Sequence, residues 1–132
     1  MKLRYVAIDF DGTITEPAEY PAIGELRPMA KKTIEHLKEK GLVLVLWTCR
    51  TGNDLRDALE FLENHDITFD YVNENPKELQ DVYKNDPRKL GVDVFIDDKN
   101  FAITQSEIDW QLIKFNSDIN WEVLSLDEYK QR

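Results

Sequence analysis

The sequence predicts an α/β fold in which a doubly wound parallel sheet is covered by helices on both faces, in three layers. Short apolar runs rich in Val, Ile and Leu alternate along the chain with segments of helical spacing. Runs without polar alternation are typical of strands buried on both faces, and their alternation with helices favours a parallel sheet. Ligands of such sheets bind beyond the carboxyl ends of the strands, so functional residues are expected there.

The predicted strands are the runs in which branched apolar residues are densest. Four are predicted, and a fifth run near the end of the chain is a candidate for a final strand. In chain order they are Leu3–Ile8, Leu42–Trp47, Phe69–Val72, Val92–Ile96 and the candidate Glu122–Leu126. Polar residues directly follow the first, second and fourth of these runs. Those three places are therefore the strand ends at which a site is expected.

The first helix is predicted to begin at Pro28, because proline suits the first turn of a helix. Gly41 stands where a helix often ends in a left-handed residue. Between them, one face is formed by apolar or small residues at helical spacing, namely Ala30, Thr33, Ile34 and Leu37. This face is predicted to pack on the sheet.

The second helix has the clearest periodicity in the chain. Its apolar positions follow the i, i+3, i+4, i+7 pattern and are Leu55, Ala58, Leu59 and Leu62. Asn53 or Asp54 is the expected N-cap. Weaker helical patterns cover Pro76–Lys84 and Glu107–Phe115.

Length and composition predict one domain that spans residues 1–132, without a linker. The chain has 26 acidic and 17 basic residues, a net charge of −9, which disfavours binding to long nucleic acids or anionic lipid. A small substrate is the expected partner, and nucleic acid is expected only as nucleotides or strand ends. Cys49 is the only cysteine, and Met1–Ala7 is too short for a signal peptide or a membrane span. The cytoplasm is therefore the expected location.

Carboxylates collect at the predicted strand ends. Asp9-Phe10-Asp11-Gly12-Thr13 follows the first strand, Thr48-Cys49-Arg50 the second, and Asp97-Asp98 the fourth, with Lys89 eight residues before Asp97. Taken singly, Asp-Gly is a common turn signal and Thr48 could be a helix cap. Several unpaired carboxylates beside buried strands are costly, however, unless a cation compensates for them. The set therefore predicts a divalent metal site.

These residues, in this order, resemble the four signature motifs of the haloacid dehalogenase superfamily, whose core is a Rossmann-like doubly wound sheet. The motifs are DxDGT, a threonine after the second strand, a lysine before the fourth and paired acids after it. The resemblance implies a Mg²⁺-dependent phosphohydrolase acting on a small phosphorylated substrate through an aspartyl-phosphate. It makes Asp9 the nucleophile, while Asp11 protonates the leaving group and then activates water.

The resemblance also implies roles for the other motif residues. The metal site would consist of the carboxylates of Asp9, Asp97 and Asp98 and the backbone carbonyl of Asp11, with Asp98 favoured over Asp97 as the direct ligand. Substrate-side candidates are Thr13, Thr48, Arg50 and Lys89. Within this set Thr13 would support the turn that places Asp9, and Thr48 and Lys89 would hold phosphoryl oxygens. Lys84 is an alternative to Lys89, and Arg50 could instead pair with a surface acid.

Many members of this superfamily carry an inserted cap domain, for which this chain has no room. Thr15–Leu26 is the one candidate lid, with Tyr20 and Ile23 as its expected substrate contacts. An open site either accepts a bulky substrate or is closed by a second subunit, so a homo-oligomer is one of the two expectations.

Three other functions share part of this set of motif residues. A dehalogenase or phosphonatase would share the Asp9 nucleophile, but an acid at Asp11 suits a leaving group that needs a proton. A response-regulator receiver domain would carry its paired acids after the first strand, whereas here Asp97 and Asp98 come last. A non-catalytic module that binds phosphate or metal with the same fold is the third.

Overall fold

The structure is a computed structural model that describes residues 1–101 and 107–132. Its strands are β1 (Lys2–Leu3), β2 (Tyr5–Ile8), β3 (Val43–Leu46), β4 (Tyr71–Val72), β5 (Val94–Ile96) and β6 (Glu122–Val123). Its helices are α1 (Ala30–Glu39), α2 (Gly52–Asn64), α3 (Lys77–Tyr83), α4 (Trp110–Asn120) and α5 (Leu126–Lys130). No helix in this part of the chain combines the length and the apolar character needed to cross a membrane.

The main sheet has four strands in the order β4-β3-β2-β5, and all of its pairings are parallel. Every residue of β2, the strand that carries Asp9 at its end, is buried. The remaining strands, β1 and β6, pair with each other in parallel as a separate small sheet. The predicted α/β fold with parallel strands is therefore confirmed.

The predicted first strand is divided at Arg4. Its first part, β1, pairs with β6, whereas β2 pairs with β3 and β5. At the break the backbone N–H groups of Arg4 and Tyr5 donate to Asp93 Oδ2 at 2.8 and 2.9 Å. A side chain thus replaces a strand partner where the chain passes from one sheet to the other.

The candidate final strand is shorter than predicted, because helix α5 begins at Leu126. Ser125 Oγ accepts from the N–H of Glu128, and the Glu128 carboxylate accepts from the N–H of Ser125. This reciprocal capping box satisfies two donors at the start of the helix. The Ser-x-x-Glu signal was present in the sequence, so α5 was a missed prediction.

Helix ends differ from the prediction by a few residues. Helix α1 begins at Ala30 rather than Pro28, after Met29 with φ of 65°. Helix α2 has Thr51 as its N-cap residue instead of Asn53 or Asp54. The expectation for Gly41 is confirmed, since its φ is +93°.

The predicted helix Glu107–Phe115 is displaced along the chain, because α4 spans Trp110–Asn120. Asp109 caps it by accepting from the N–H of Leu112 through Oδ1, at 3.1 Å. Asp109 thus supplies the capping side chain that the pattern of apolar residues did not reveal.

The predicted face of α1 is buried as expected and belongs to the main core. On α2 the prediction holds for Ala58 and Leu62, but Leu59 is exposed. Helix α4 packs against α1, where Thr33 Oγ1 donates to the carbonyl of Trp110 at 2.8 Å. Trp110 Nε1 in turn donates to the carbonyl of Thr13 at 2.8 Å. This buried tryptophan therefore fixes the loop that follows β2.

Candidate metal and catalytic site

Three carboxylates meet at the carboxyl ends of the adjacent strands β2 and β5. One oxygen from each of Asp9, Asp97 and Asp98 lies within 4.8 Å of the other two. The three carboxylates are close together because β2 and β5 are parallel neighbours. The N–H of Asp9 also donates to the carbonyl of Ile96 at 3.0 Å. Oxygen atoms at this spacing can converge on one hard divalent cation after small side-chain rotations.

Thr13 organises this cluster from beneath. Its hydroxyl donates to Asp9 Oδ2 at 2.9 Å and accepts from the backbone N–H of Asp98 at 2.9 Å. The side chain is completely buried. Thr13 was a substrate-side candidate, but the structure commits its hydroxyl to placing the two carboxylates, which is the supporting role expected for the turn.

One buried oxygen of Asp98 has no hydrogen-bond partner among the described residues. Asp98 is 2% exposed, and its Oδ2 makes no hydrogen bond with any residue in the part of the chain that the structure describes. Gly12, with φ of +78°, lies so close that a Cβ there would be 2.5 Å from this atom. A buried carboxylate oxygen without a partner costs free energy. The donor set, all carboxylate oxygen, therefore fits a hard divalent cation.

Electrostatics at the cluster favour proton uptake when no cation compensates. Burial raises the pKa of Asp9 from its ordinary value of 3.8 to about 7, the nearby charge of Asp97 adds to this, and the Thr13 hydrogen bond opposes it. Burial also raises the pKa of Asp97, against the backbone N–H of Lys99, which donates to Asp97 Oδ1 at 2.9 Å. A bound cation would compete with these protons.

The carboxylate of Asp11 does not join the cluster. It forms a two-point ion pair with Arg50, in which Nε donates to Oδ2 at 2.7 Å and Nη2 to Oδ1 at 2.8 Å. The Asp11 side chain is 41% exposed, whereas Arg50 is 1% exposed. The structure thus brings together the three carboxylates predicted to hold the metal, while the contact expected from the backbone carbonyl of Asp11 stays a prediction and its carboxylate pairs with Arg50.

Arg50 is fully engaged within the protein. Besides Asp11, its guanidinium donates to the carbonyls of Asp54 at 3.3 Å, Pro21 at 3.0 Å and Ala22 at 3.3 Å. Of the two expectations for Arg50, the structure shows the pairing with an acid, and contact with a substrate phosphate stays a prediction. Its partner is a carboxylate of the predicted site rather than an unrelated surface acid.

Thr48 follows β3, next to β2, and is half-buried. Its N–H donates to Asn73 Oδ1 at 2.8 Å, and its hydroxyl accepts from the N–H of Arg50 at 3.1 Å. Asn73 has a positive φ of 54° and was not singled out from the sequence. The side chain of Asn73 thus holds the backbone of the predicted phosphate-binding threonine.

The two candidate lysines are not brought to the cluster. Lys89 is exposed and lines an open cavity with Asp93 and Tyr129, and Asp93 contacts the amino end of β2 rather than its carboxyl end. Lys84 is the exposed residue that ends α3. Lys99, which sequence reasoning overlooked, comes directly after the paired acids, and its charge opposes the rise that burial causes in the pKa of Asp97.

The candidate lid Thr15–Leu26 is a folded loop closed at its base. Thr15 and Leu26 form an antiparallel bridge, and the N–H of Glu16 donates to the carbonyl of Glu25 at 2.7 Å. At its tip, the Tyr20 hydroxyl donates to Asp54 Oδ2 at 2.6 Å, although the ring is 60% exposed. The loop is thereby held on the first turn of α2.

Arg27, at the end of this loop, is a second buried arginine that sequence reasoning missed. Its Nε and Nη2 donate to the carbonyl of Gly12 at 3.2 and 2.8 Å. The side chain is 6% exposed. It therefore stabilises the backbone turn of the DxDGT motif.

Comparison with known proteins finds a similar solved structure. No protein-family model matches the chain, and no curated protein matches it. A solved structure of a conserved protein from Bacteroides thetaiotaomicron is similar to it, with 32% sequence identity and a TM-score of 0.76. The match covers 98% of this chain and 99% of that one.

Proposed function

This chain belongs to the same family as that conserved Bacteroides protein, and we propose that it is a metal-dependent phosphohydrolase of the haloacid dehalogenase type. The observation that carries the proposal is the cluster of Asp9, Asp97 and Asp98, with a buried oxygen of Asp98 that has no partner among the described residues. The cluster lies at the carboxyl ends of parallel strands, and sheets of this kind bind their ligands at that edge.

Asp9, Asp97 and Asp98 would hold Mg²⁺. Carboxylate oxygens suit this ion, whereas zinc sites are usually built with histidine or cysteine. Bound there, the ion would supply positive charge against the oxygens of a phosphoryl group and so let an anionic nucleophile approach.

Asp9 would act as the nucleophile. Its carboxylate oxygen would form a bond to phosphorus while the bond from phosphorus to the leaving oxygen breaks, and Asp11 would donate a proton to that leaving oxygen. Water would then attack phosphorus while Asp11 takes a proton from it, and the bond between Asp9 and phosphorus would break, which releases inorganic phosphate and restores the Asp9 carboxylate. Thr13 fixes the orientation of Asp9 through the 2.9 Å hydrogen bond to Oδ2. Preorganisation of this kind keeps the attacking group in place before the reaction begins.

The substrate would be a small phosphorylated molecule, with nucleic acid involved only as nucleotides or strand ends, since the chain carries a net charge of −9. The proposal includes a Rossmann-like core in three layers. It also includes a cytoplasmic location, because Cys49 is the only cysteine and cannot form a disulfide within the chain. The proposal also includes a site without a cap domain, which either accepts a bulky substrate or is closed by a second subunit.

A second candidate function is binding of metal or phosphate without turnover. Two observations favour it: Asp11 is paired with Arg50, and Lys89 lies away from the cluster. In that case the fold and the metal site would be kept while the acid and the phosphate-binding cation would be missing.

Phosphate release from p-nitrophenyl phosphate with Mg²⁺ separates the two functions. The phosphohydrolase predicts activity that EDTA abolishes and that Asp9→Asn lowers by at least about 10³-fold, because the nucleophile is lost. Asp57→Asn, an exposed aspartate on α2, is the matched control and should leave the rate unchanged. Metal binding without turnover would support the second function, and activity that survives both EDTA and Asp9→Asn would exclude the proposed mechanism. A panel of phosphorylated metabolites would then identify the substrate class.

A further inference from the structure

Arg50 joins two parts of the molecule that are distant in sequence. The same nitrogen, Nη2, donates to Asp11 Oδ1 at 2.8 Å and to the carbonyl of Pro21 at 3.0 Å. Ala22 offers a second carbonyl at 3.3 Å. The DxDGT loop and the tip of the candidate lid are therefore connected through one guanidinium.

The surroundings of Arg50 leave it little freedom. Its guanidinium carbon lies 5.5 Å from the centre of the Phe10 ring and 5.0 Å from that of Tyr20. The Tyr20 hydroxyl is bonded to Asp54, whose carbonyl accepts from Arg50 as well. With the side chain 1% exposed, water cannot readily replace these contacts. A planar fork with several fixed donors is needed to satisfy a carboxylate and backbone carbonyls together.

We propose that Arg50 is a positioning residue that couples residues 20–22 to Asp11, so that the orientation of the Asp11 carboxylate depends on the placement of the lid tip. The effect on catalysis rests on the proposed phosphohydrolase function. The physical coupling between Asp11 and the lid tip does not depend on that function. The guanidinium of Arg50 is bonded to Asp11 and to backbone carbonyls, so it would act on the reaction through Asp11.

A double-mutant cycle tests the catalytic part, with phenyl phosphate as substrate because its leaving oxygen needs a proton. Arg50→Gln should lower kcat by about 10²-fold with little change in KM, within the range for loss of acid-base assistance. If Arg50 acts through Asp11, the double variant Arg50→Gln with Asp11→Ala should be no more than about threefold slower than Asp11→Ala alone. Multiplied effects in the double variant, or a raised KM with kcat unchanged, would overturn the positioning role.

Two further variants separate positioning from general stability. Arg50→Lys keeps the charge but not the fork, so its kcat should stay near that of Arg50→Gln. Arg56→Gln removes an exposed arginine from α2, the helix that follows Arg50, and should keep the wild-type kcat and KM. Full activity in Arg50→Lys would show that charge alone is sufficient and would refute the role of the bidentate pair.

Amide hydrogen exchange tests the coupling without any activity. The N–H of Ala22 donates to the carbonyl of Glu19 at 2.9 Å, so its protection reports on the lid tip. Arg50→Gln and Asp11→Ala should each speed exchange at Ala22 by about tenfold or more, while Arg56→Gln should not. Inactivity of the wild type toward phosphate esters would refute the proposed function and with it the catalytic part. Unchanged exchange in both Arg50→Gln and Asp11→Ala would refute the coupling itself.

Discussion

The two ends of strand β2 both hold carboxylates, in opposite electrostatic surroundings. At the amino end, Glu78 accepts from Arg4 Nε at 2.9 Å and from the Tyr5 hydroxyl, and Asp93 accepts from two backbone N–H groups. At the carboxyl end, Asp9 lies among other carboxylates. The first arrangement satisfies its carboxylates within the protein, and the second does not.

The pKa directions follow this difference. Burial works against ionisation of Glu78, yet the hydrogen bonds from Tyr5 and Arg4 prevail and lower its pKa. Burial and the charge of Asp97 raise the pKa of Asp9 to about 7. Carboxylates that are buried and left unpaired are typical of functional sites, whereas paired ones usually stabilise the fold. The comparison thus identifies which end of the sheet is available for chemistry.

The largest expected effect on stability is a pH dependence that arises at the carboxyl end. The pKa of Asp9 is 3.8 when unperturbed and about 7 in the folded chain. Between these values the folded state binds more protons than the unfolded state, so stability should fall as pH rises from about 4 to about 7. Linkage gives a loss of up to roughly 4 kcal/mol. Urea unfolding of wild type and Asp9→Asn without divalent ions measures it, because Asp9→Asn should lose this component.

The same unfolding experiment can also show that the carboxyl end of β2 does not carry the titrating group. If wild type and Asp9→Asn lost stability equally over this pH range, Asp9 would not be the group that titrates. Added Mg²⁺ should flatten the wild-type curve, since a cation at the cluster would replace the proton.

A somewhat smaller effect is expected from the metal itself. Magnesium at 100 times its Kd should stabilise the wild type by about 2.7 kcal/mol, because it binds the folded state only. Asp98→Asn should abolish most of this gain, whereas Asp57→Asn, on the exposed face of α2, should keep it. Thermal unfolding with and without Mg²⁺ provides the measurement. An undiminished shift in Asp98→Asn would place the ion elsewhere.

The smallest effect concerns the amino end. Glu78→Gln should destabilise the protein by about 2 kcal/mol, because Arg4 and Tyr5 lose a charged acceptor in a partly buried place. The same change of carboxylate to amide in Asp98→Asn should leave metal-free stability equal or higher, since it removes an unpaired buried charge. Urea unfolding of both variants compares the two ends directly. Destabilisation of similar size at both would remove the distinction between them.

Local sequence patterns were sufficient where the structure depends on neighbours along the chain. The apolar runs predicted the parallel strands, and polar residues directly after two of them predicted that Asp9 and Asp98 would meet. Strands β2 and β5 are adjacent, so side chains at their carboxyl ends could hardly be far apart. The helix ends were predicted less accurately. A capping residue such as Asp109 can shift the start of a helix by a few residues from where the apolar periodicity places it.

Residue partners from distant segments could not be predicted in this way. Asp11 and Arg50 are 39 positions apart, and Thr13 and Trp110 are 97 apart. The motif predicted a proton-transfer role for the Asp11 carboxylate, but it did not reveal the buried guanidinium with which this carboxylate pairs. Lys89 satisfied the expected spacing, yet the chain before β5 leaves it exposed beside Asp93 and Tyr129.

The sequence by itself determined the alternation of strands and helices and the carboxylates at the strand ends, because both follow from side-chain periodicity within short segments. Only the tertiary structure decided which carboxylates stay unpaired, since pairing depends on which loops fold against each other. Arg50 and Arg27 are each buried by contacts with residues far along the chain. Burial removes the competing water, and so the contacts made on folding set the charge balance of the site.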